Sequence, residues 1–535
     1  MHLPSMSSLP TLPSLPPCAS TEIRSHELTG DCADAMKPWI LAATIAGSSL
    51  AFLIAGGINV ALPAVQRSLG ASVAEVQWIL NGYLLALASL TIPMGAAGDR
   101  VGRGVMFRWG LAVFAAGSLA CAVAPGVWSL IAARLLQGVG AAMLVPNSLA
   151  LLAAAFPANE RGAAIGTWGA ASALMSAAGP AGAGGLAEVL GWRAVFAVFV
   201  PLTLLTLAAA FYVVPMSIDA DAGPVDVGGT VLSSLGLAAI VFGLIDAGEA
   251  GWDSPRVIAA LLLGPVLLVA FLILEHRKER TEHAPMVPPS LFRDRTFSGT
   301  NLLTLLLYFG MSGAFFIIPF NLIQLRGLPV WQVGLGFLPF SLTMAALGRK
   351  SGEIADRLGP KPQLVAGSAV TAAAFGLLAW PGLGGGYWTA VFPGMLGLGV
   401  GMAVMSSPLT TAVMGSVPPN RTGVASGVNN TIARIATLLA IAILGVVMAS
   451  VFEAELPETM HAAADEADLG HDEMPKAAMD PDPFAIDATL PPELLRGRHL
   501  AFLHGYRIMM VTSAGLAVVA MLVASLMIPG RTASD

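Results

Sequence analysis

The chain has 535 residues, of which 56% are hydrophobic and only 11% charged, whereas soluble proteins carry roughly 25% charged residues. So few charges could not cover a soluble surface of this size. The net charge of −6 excludes an extended nucleic-acid surface, and three cysteines form neither a disulfide framework nor a metal-ligand pattern. The composition therefore predicts an all-α polytopic membrane protein.

Apolar runs long enough to cross about 30 Å of hydrocarbon predict fourteen spans. Residues 1–36 are rich in Pro and Ser, predict a disordered tail, and leave the first span as an uncleaved signal. The predicted spans, in chain order, are 39–64, 75–95, 104–124, 128–153, 163–187, 193–214, 227–247, 256–275, 297–321, 331–348, 363–383, 388–415, 423–451 and 501–528.

The distribution of basic residues predicts the orientation. Placing both termini in the cytoplasm puts most of the 27 basic residues inside, the densest group lying within 276–296. The acidic stretch 452–500 is then outside, and its Ala, Pro and Asp content predicts a flexible cap. We expect a multi-pass protein of the cell (inner or plasma) membrane.

An internal repeat predicts two related halves. GAAGDRVG at 95–102 and GEIADRLG at 352–359 share the pattern G-x-x-x-D-R-x-G, and 138–166 aligns without a gap to 399–427. Parallel repeats of this kind are one architecture for alternating access. The predicted domains are the tail 1–36, a six-helix half 37–214, two inserted helices and a basic loop 215–296, a second six-helix half 297–528, and the tail 529–535.

Four motifs add chemistry to this plan. They are GAAGDRVGRG at 95–104, RLLQGVG at 134–140, GPAGAGG at 179–185 and VASGVNNTIAR at 424–434. Together they resemble the motifs of the major facilitator superfamily, within it the fourteen-span drug:proton antiporter branch, over about residues 38–528. The fit of GPAGAGG is looser, because Ala183 and Met175 stand where the family usually has Gly. The resemblance implies an exporter of drug-like molecules.

The first motif predicts a tight turn and a latch between moving halves. Glycines allow close helix approach, while Asp99 could pair with an arginine across an interface or accept hydrogen bonds from a helix end; a topology-fixing basic turn is the alternative. GPAGAGG predicts a bent, closely packed gate helix, or packing alone. The predicted gating and coupling residues are Gly95, Asp99, Arg100, Gly102, Arg103, Arg134, Gln137, Gly138, Gly179, Pro180, Asp356 and Arg357.

Arg134 is the one charged residue between Trp109 and Asn159. A charge at mid-membrane costs about 2.5–3.5 kcal/mol on insertion scales. It either snorkels to the interface or acts as a fixed positive charge inside the protein, about one turn from the outer side. The resemblance implies a role in proton coupling.

The first span departs from the family pattern. In LIAGGINVALP at 53–63, Ile54 stands at the usual Asp position and Gly56 at the usual Thr position. Coupling could move to an acid at a span end, such as Glu188 or Asp99; the substrate could itself be acidic; or the protein could be an uncoupled facilitator. The predicted polar lining of the substrate cavity is Asn59, Asn81, Tyr83, Trp168, Asn301, Asn429, Asn430 and Arg434, although the two residues 429 and 430 could instead hold helices together.

These features predict a secondary transporter that exports amphipathic small molecules, driven by the proton gradient. A metabolite uptake system or facilitator is the alternative. A membrane-embedded enzyme is disfavoured because the sequence offers no nucleophile–base pair or metal ligands at membrane depth. We expect a small-molecule substrate, protons and lipid as partners, no cofactor, metal or nucleic acid, and a monomer that could work with an accessory efflux protein.

Overall fold

The computed structural model describes residues 31–156, 158–215, 226–281, 285, 287–417, 422–466, 475–484 and 490–530. Within these ranges the secondary structure is helical. The helices are α1 Asp31–Leu69, α2 Val73–Val101, α3 Arg103–Ala122, α4 Val127–Ala155, α5 Ala158–Leu190, α6 Trp192–Ala197, α7 Phe199–Val213, α8 Val227–Ala250, α9 Pro255–Arg280, α10 Arg295–Gln324, α11 Val330–Leu335, α12 Leu338–Leu358, α13 Pro360–Ala379, α14 Tyr387–Ala390, α15 Phe392–Gly415, α16 Thr422–Glu466 and α17 Pro492–Met527.

The helices match the predicted spans. Thirteen candidate spans among the described residues are long and apolar enough to cross a membrane. The predicted span 163–187 coincides with α5, a helix of 33 residues that is not among the thirteen because glycine and alanine lower its hydropathy. The all-α membrane fold is therefore confirmed, and the count of fourteen agrees with it closely.

Local chemistry explains several helix starts. Ser72 accepts a hydrogen bond from the Glu75 amide, while the Glu75 carboxylate accepts one from the Ser72 amide, which forms a capping box at α2. Asp226 and Asp294 cap α8 and α10 in the same sense. Pro255 begins α9, where its missing N–H costs nothing.

The two halves repeat each other at the level of contacts. Gly102 and Gly359, which match in the aligned loops, both have positive φ angles, 117° and 76°. A Cβ added at Gly138 would collide with the carbonyl oxygen of Tyr83, and one added at Gly399 would lie 2.6 Å from that of Phe340. The same two helices therefore cross at the same glycine in each half, as the repeat predicts.

The inserted helices α8 and α9 pack beside this pair of halves. Leu237, Val241 and Ile245 of α8 form an apolar cluster with Leu438 of α16 and Leu85 of α2. Helix α9 packs mainly on α8, and only 17% of the residues in its most apolar 18-residue stretch are buried. The rest of its surface suits contact with lipid.

One prediction about the outer side is wrong for the described residues. Instead of a flexible loop over 452–500, α16 continues to Glu466 and α17 begins at Pro492. Between them, residues 475–484, here named the outer segment, are held by Arg498, which is 4% exposed. Its guanidinium donates to the carbonyl oxygens of Ala477, Ala478, Asp480 and Asp482.

The outer segment also contacts both halves. The Phe484 ring stacks on Phe320 of α10 with centroids 4.1 Å apart. The Gln66 amide of α1 donates to the Asp482 carboxylate at 3.1 Å. These contacts bury backbone and aromatic groups of the outer segment. The amino-acid composition of the segment did not predict them. The end of the bundle that carries this segment is called the outer end below, following the predicted orientation.

Candidate functional site

A cavity of about 360 Å³ lies between the two halves. Helices α1, α2, α4 and α5 of the first half and α10, α12, α15 and α16 of the second half contribute to its wall. Most of the wall is apolar: Phe52, Phe315, Phe337 and Phe340 supply rings, and Met311, Met344 and Met402 supply flexible thioethers. A mostly apolar cleft with a few polar groups is typical of a small-molecule site.

Arg134 lies inside the bundle, which excludes the snorkelling alternative. It is 1% exposed and sits two turns inside α4, one turn deeper than predicted. Its Nε donates to the Ile79 carbonyl at 3.1 Å, and Nη1 donates to the Gln137 side-chain oxygen at 2.5 Å. Its guanidinium carbon lies 4.4 Å from the centre of the Tyr83 ring.

These hydrogen bonds continue away from the cavity. The Gln137 amide donates to the Ser118 hydroxyl at 2.8 Å, and this hydroxyl donates to the Phe114 carbonyl. The Tyr83 hydroxyl donates to the Ala51 carbonyl of α1 at 3.0 Å. Arg134 is therefore fixed in place by neighbours on α2 and α4, with a hydrogen-bonded chain that reaches α3.

A second arginine enters the cavity from the opposite half. Arg434 of α16 lines the wall, with its guanidinium carbon 6.0 Å from the centre of the Phe52 ring on α1. Its Nε is buried and has no hydrogen-bond partner among the residues described. Near it, the Ser312 hydroxyl of α10 donates to Thr437 at 2.9 Å.

Of the eight predicted cavity residues, three line this cavity and five do not. Asn59, Tyr83 and Arg434 are part of the wall, and so is Arg134, which the sequence placed among the coupling residues. Asn81 is fully buried outside it, and Trp168 packs edge-on against the back of Phe52 at 6.1 Å. Helical spacing placed these two residues on interior faces but could not say which neighbour covers them.

Asn301 and Asn429 are bonded to each other. The Asn429 amide donates to the Asn301 oxygen at 3.0 Å and to the Thr304 hydroxyl at 2.8 Å. These bonds join α10 to α16, as the helix-joining alternative predicted for Asn429, whereas the Asn430 amide donates to the Ser426 carbonyl of its own helix. Asn429 and Asn430 also line a smaller cavity of about 120 Å³, which shares Tyr308 and Met402 with the central one.

Sequence reasoning missed several cavity residues. Tyr308, Ser312 and Thr437 belong to no motif, and the aromatic and methionine positions resemble ordinary core residues. Their helical faces point inward, but so do the faces of many buried residues. Only the packing of the two halves shows which interior face meets the cavity.

The loop between α2 and α3 has the predicted tight turn, but Asp99 has a local partner. The Arg103 Nε, at the start of α3, donates to the Asp99 carboxylate in the last turn of α2 at 2.7 Å. Gly98 lies against the Asn147 side chain of α4, and a Cβ at Gly95 would lie 3.3 Å from Pro146. Asp99 therefore pairs with the first residue of the neighbouring helix α3, but the residues described show no contact of Asp99 with the second half.

Three further members of the predicted gating set lie in the first motif and in its repeat. Arg100, in the first motif, is exposed. The side chains of Asp356 and Arg357 lie outside the described part of the structure. Their roles stay predictions.

The GPAGAGG segment of α5 packs against both halves. A Cβ at Gly179 would lie 2.5 Å from the Leu53 carbonyl oxygen of α1. A Cβ at Gly184 would lie 2.7 Å from the Val330 carbonyl oxygen of α11, and one at Gly334 would collide with the Pro180 carbonyl. The motif therefore allows α5 to touch the second half through bare backbone.

An acid completes this contact at the outer end. The Glu188 carboxylate accepts a hydrogen bond from the Val330 amide at 3.2 Å. In the central cavity, by contrast, the residues that the structure places in the wall include no Asp, Glu or His. Ile54, at the position where the resembling family has an acid, is fully buried in the apolar core.

Comparison with known proteins agrees with this architecture. The sequence pattern of the Major Facilitator Superfamily matches residues 44–225 and 227–441. The chain belongs to the major facilitator superfamily. Because the members matched are transporters, the prediction of a transporter rather than an enzyme is confirmed.

The relatives include exporters and resistance proteins. The tetracenomycin C resistance and export protein of Streptomyces glaucescens is 32% identical over 91% of this chain and 91% of its own length. The puromycin resistance protein of Streptomyces alboniger is 31% identical over 93% of each. Among solved structures, an inward-facing bacterial homolog of the human lysosomal transporter Spinster has a TM-score of 0.58 at 16% identity, covering 92% of this chain and 98% of that one; at this identity the likeness concerns the fold.

Proposed function

We propose that this major facilitator protein is a secondary transporter that exports amphipathic small molecules across the cell membrane. The observation that carries the proposal is the central cavity, whose apolar and aromatic wall comes from both halves. A ligand held there contacts both halves at once, so their relative movement changes its access. Relatives named for antibiotic resistance and export support the outward direction.

Alternating access requires contacts between the halves that form and break. At the outer end, α5 meets α11 at Gly184, and a Cβ at Gly445 of α16 would meet the Gln77 side chain of α2. Gln66 and Asp482 add a bond between α1 and the outer segment. These contacts close the outer end in this state, and all of them must separate when the cavity opens outward.

The energy source that we propose is the proton-motive force. A transported proton needs a carrier that both sides of the membrane reach in turn. Glu188 lies at the outer end and Asp99 in the last turn of α2, and neither is part of the cavity wall. This placement favours the prediction that the acidic group belongs to the substrate.

Transport in inside-out vesicles tests the function. Vesicles that contain the protein should accumulate amphipathic dyes or antibiotics when energised, and a protonophore should abolish the accumulation. Imposing a pH gradient and a membrane potential separately identifies which component drives it. Vesicles without the protein serve as control, and faster entry into intact cells would instead establish the uptake system.

A further inference from the structure

The two arginines of the central cavity differ in how they are bound. Arg134 has hydrogen bonds through Nε and Nη1 and stacks on Tyr83. Arg434 projects from the opposite half, and its buried Nε has no partner in the described part of the chain. Leaving a guanidinium group incompletely bonded in a low-dielectric interior costs several kcal/mol. An anionic ligand would remove that cost.

The surroundings of Arg434 do not supply the missing anion. Among the described residues of the cavity wall, the titratable groups are the tyrosines 83 and 308 and the arginines 134 and 434. The hydroxyl and backbone groups nearby are neutral. The cavity is therefore positively charged as folded, with no internal carboxylate to balance it.

The other residues of the cavity wall indicate the chemistry of the rest of the ligand. Phe52 of the first half lies beside Arg434, and Phe315, Phe337 and Phe340 of the second half also line the cavity. Phe315 meets Phe340 edge-on with centroids 4.9 Å apart. Rings in this arrangement favour a flat apolar body, because aromatic faces and edges pack against it.

We propose that Arg434 binds the acidic group of the exported molecule, so that the substrates are amphipathic organic monoanions such as aromatic carboxylates. This inference rests on the proposed function and assigns its substrate class. Guanidinium pairs well with a carboxylate because two N–H groups can donate in parallel. Arg134 then stabilises the same charge from the other half without direct contact.

The proposal also gives a physical reason for the apolar residue at Ile54. Moving one negative charge outward across an inside-negative membrane is favoured by about 2.3 kcal/mol per 100 mV. Export of an anion therefore uses the electrical part of the proton-motive force. It needs no titratable carboxylate inside the membrane.

Equilibrium binding to the purified full-length protein tests the assignment. The probes are three pyrene derivatives with one ring system: pyrenebutyrate, its neutral methyl ester and pyrenebutylammonium. We expect the wild type to bind the anion most tightly and the cation most weakly. Arg434→Gln should weaken pyrenebutyrate binding about 10- to 100-fold, the loss typical of a charged hydrogen bond, and change ester binding less than about twofold.

Two further variants make the result specific. Arg434→Lys keeps the charge and should restore part of the anion affinity. Arg496→Gln removes an exposed arginine that pairs with Glu466, and should leave all three affinities unchanged. If Arg434→Gln does not fold, the order of the three probes on wild type and on Arg434→Lys decides the question.

Several outcomes would overturn the proposal. They are an equal loss of anion and ester binding, tightest binding of the cation, or complete displacement of pyrenebutyrate by chloride, which would indicate an inorganic anion site. Because this assay measures binding alone, it separates the two claims. Arg434-dependent anion binding without vesicle transport would remove the proposed function and keep the site.

Discussion

The contact between α5 and α11 gives a quantitative prediction about gating. In Gly184→Ala, the new Cβ would lie 2.7 Å from the Val330 carbonyl oxygen and 3.3 Å from the Gly334 Cα. Both are backbone atoms, which cannot rotate away as a side chain can. Overpacking of this kind costs about 1–3 kcal/mol. Since the contact joins the two halves, the cost applies to the state in which the outer end is closed.

A cost of about 1–3 kcal/mol shifts the ratio of the two states about 5- to 150-fold toward the outward-open one. The same motif contains matched controls. A Cβ at Gly182 or Gly185 would meet nothing within 4 Å. The gain in helix propensity from Gly to Ala is common to all three variants and cancels in the comparison.

Cysteine accessibility measures this shift. Ala55→Cys places a thiol in the cavity wall, in a background where the three native cysteines are replaced by alanine. On intact cells, an impermeant thiol reagent should label it faster with Gly184→Ala than with Gly182→Ala or Gly185→Ala. Equal rates in all three variants would refute the assignment of this contact as a gate. Faster labelling only in inside-out vesicles would reverse the predicted orientation.

Three further predictions use the same material. Asp99→Asn removes a partly exposed ion pair worth about 1 kcal/mol or less, so the thermal unfolding midpoint should change little while transport slows. Unchanged transport at matched expression would contradict the role of Asp99 as a latch. Arg498→Gln removes the donor to several carbonyls of the outer segment and should lower the stability by at least about 2 kcal/mol, measured as a lower unfolding midpoint, whereas the exposed Arg496→Gln should be nearly neutral. Similar shifts in both variants would contradict the role of Arg498 as the anchor of the outer segment. Single cysteines at Glu458 and Arg293 should be labelled on intact cells only at the first position, and the opposite pattern would invert the topology.

The outer segment shows how far composition can mislead. Residues rich in Ala, Pro and Asp predict flexibility because they bury little apolar surface. Here one arginine binds four carbonyls and one phenylalanine stacks on α10, and these two anchors order the described part of the segment. Neither anchor has a local sequence signature, since the partners of Arg498 lie 16 to 21 residues away in the chain.

The sequence by itself determined the helical membrane fold and the repeat of the two halves, and it restricted Arg134 to the protein interior or the membrane boundary. These features depend on hydrophobicity and on glycine spacing, which are local properties of the chain. Gly138 and Gly399 could be paired by alignment alone, and their contacts are equivalent. A charge within an apolar run must face the protein interior or a membrane boundary, so few positions were open to Arg134.

Only the tertiary structure decided which interior groups meet each other and which meet the cavity. Asn301 and Asn429 are separated by 128 residues, yet they bond to each other. Arg434 lies one turn farther along the same helix and lines the central cavity. Helical periodicity assigns a residue to a face, but the neighbour of that face depends on how two halves pack across hundreds of residues, which no local pattern encodes.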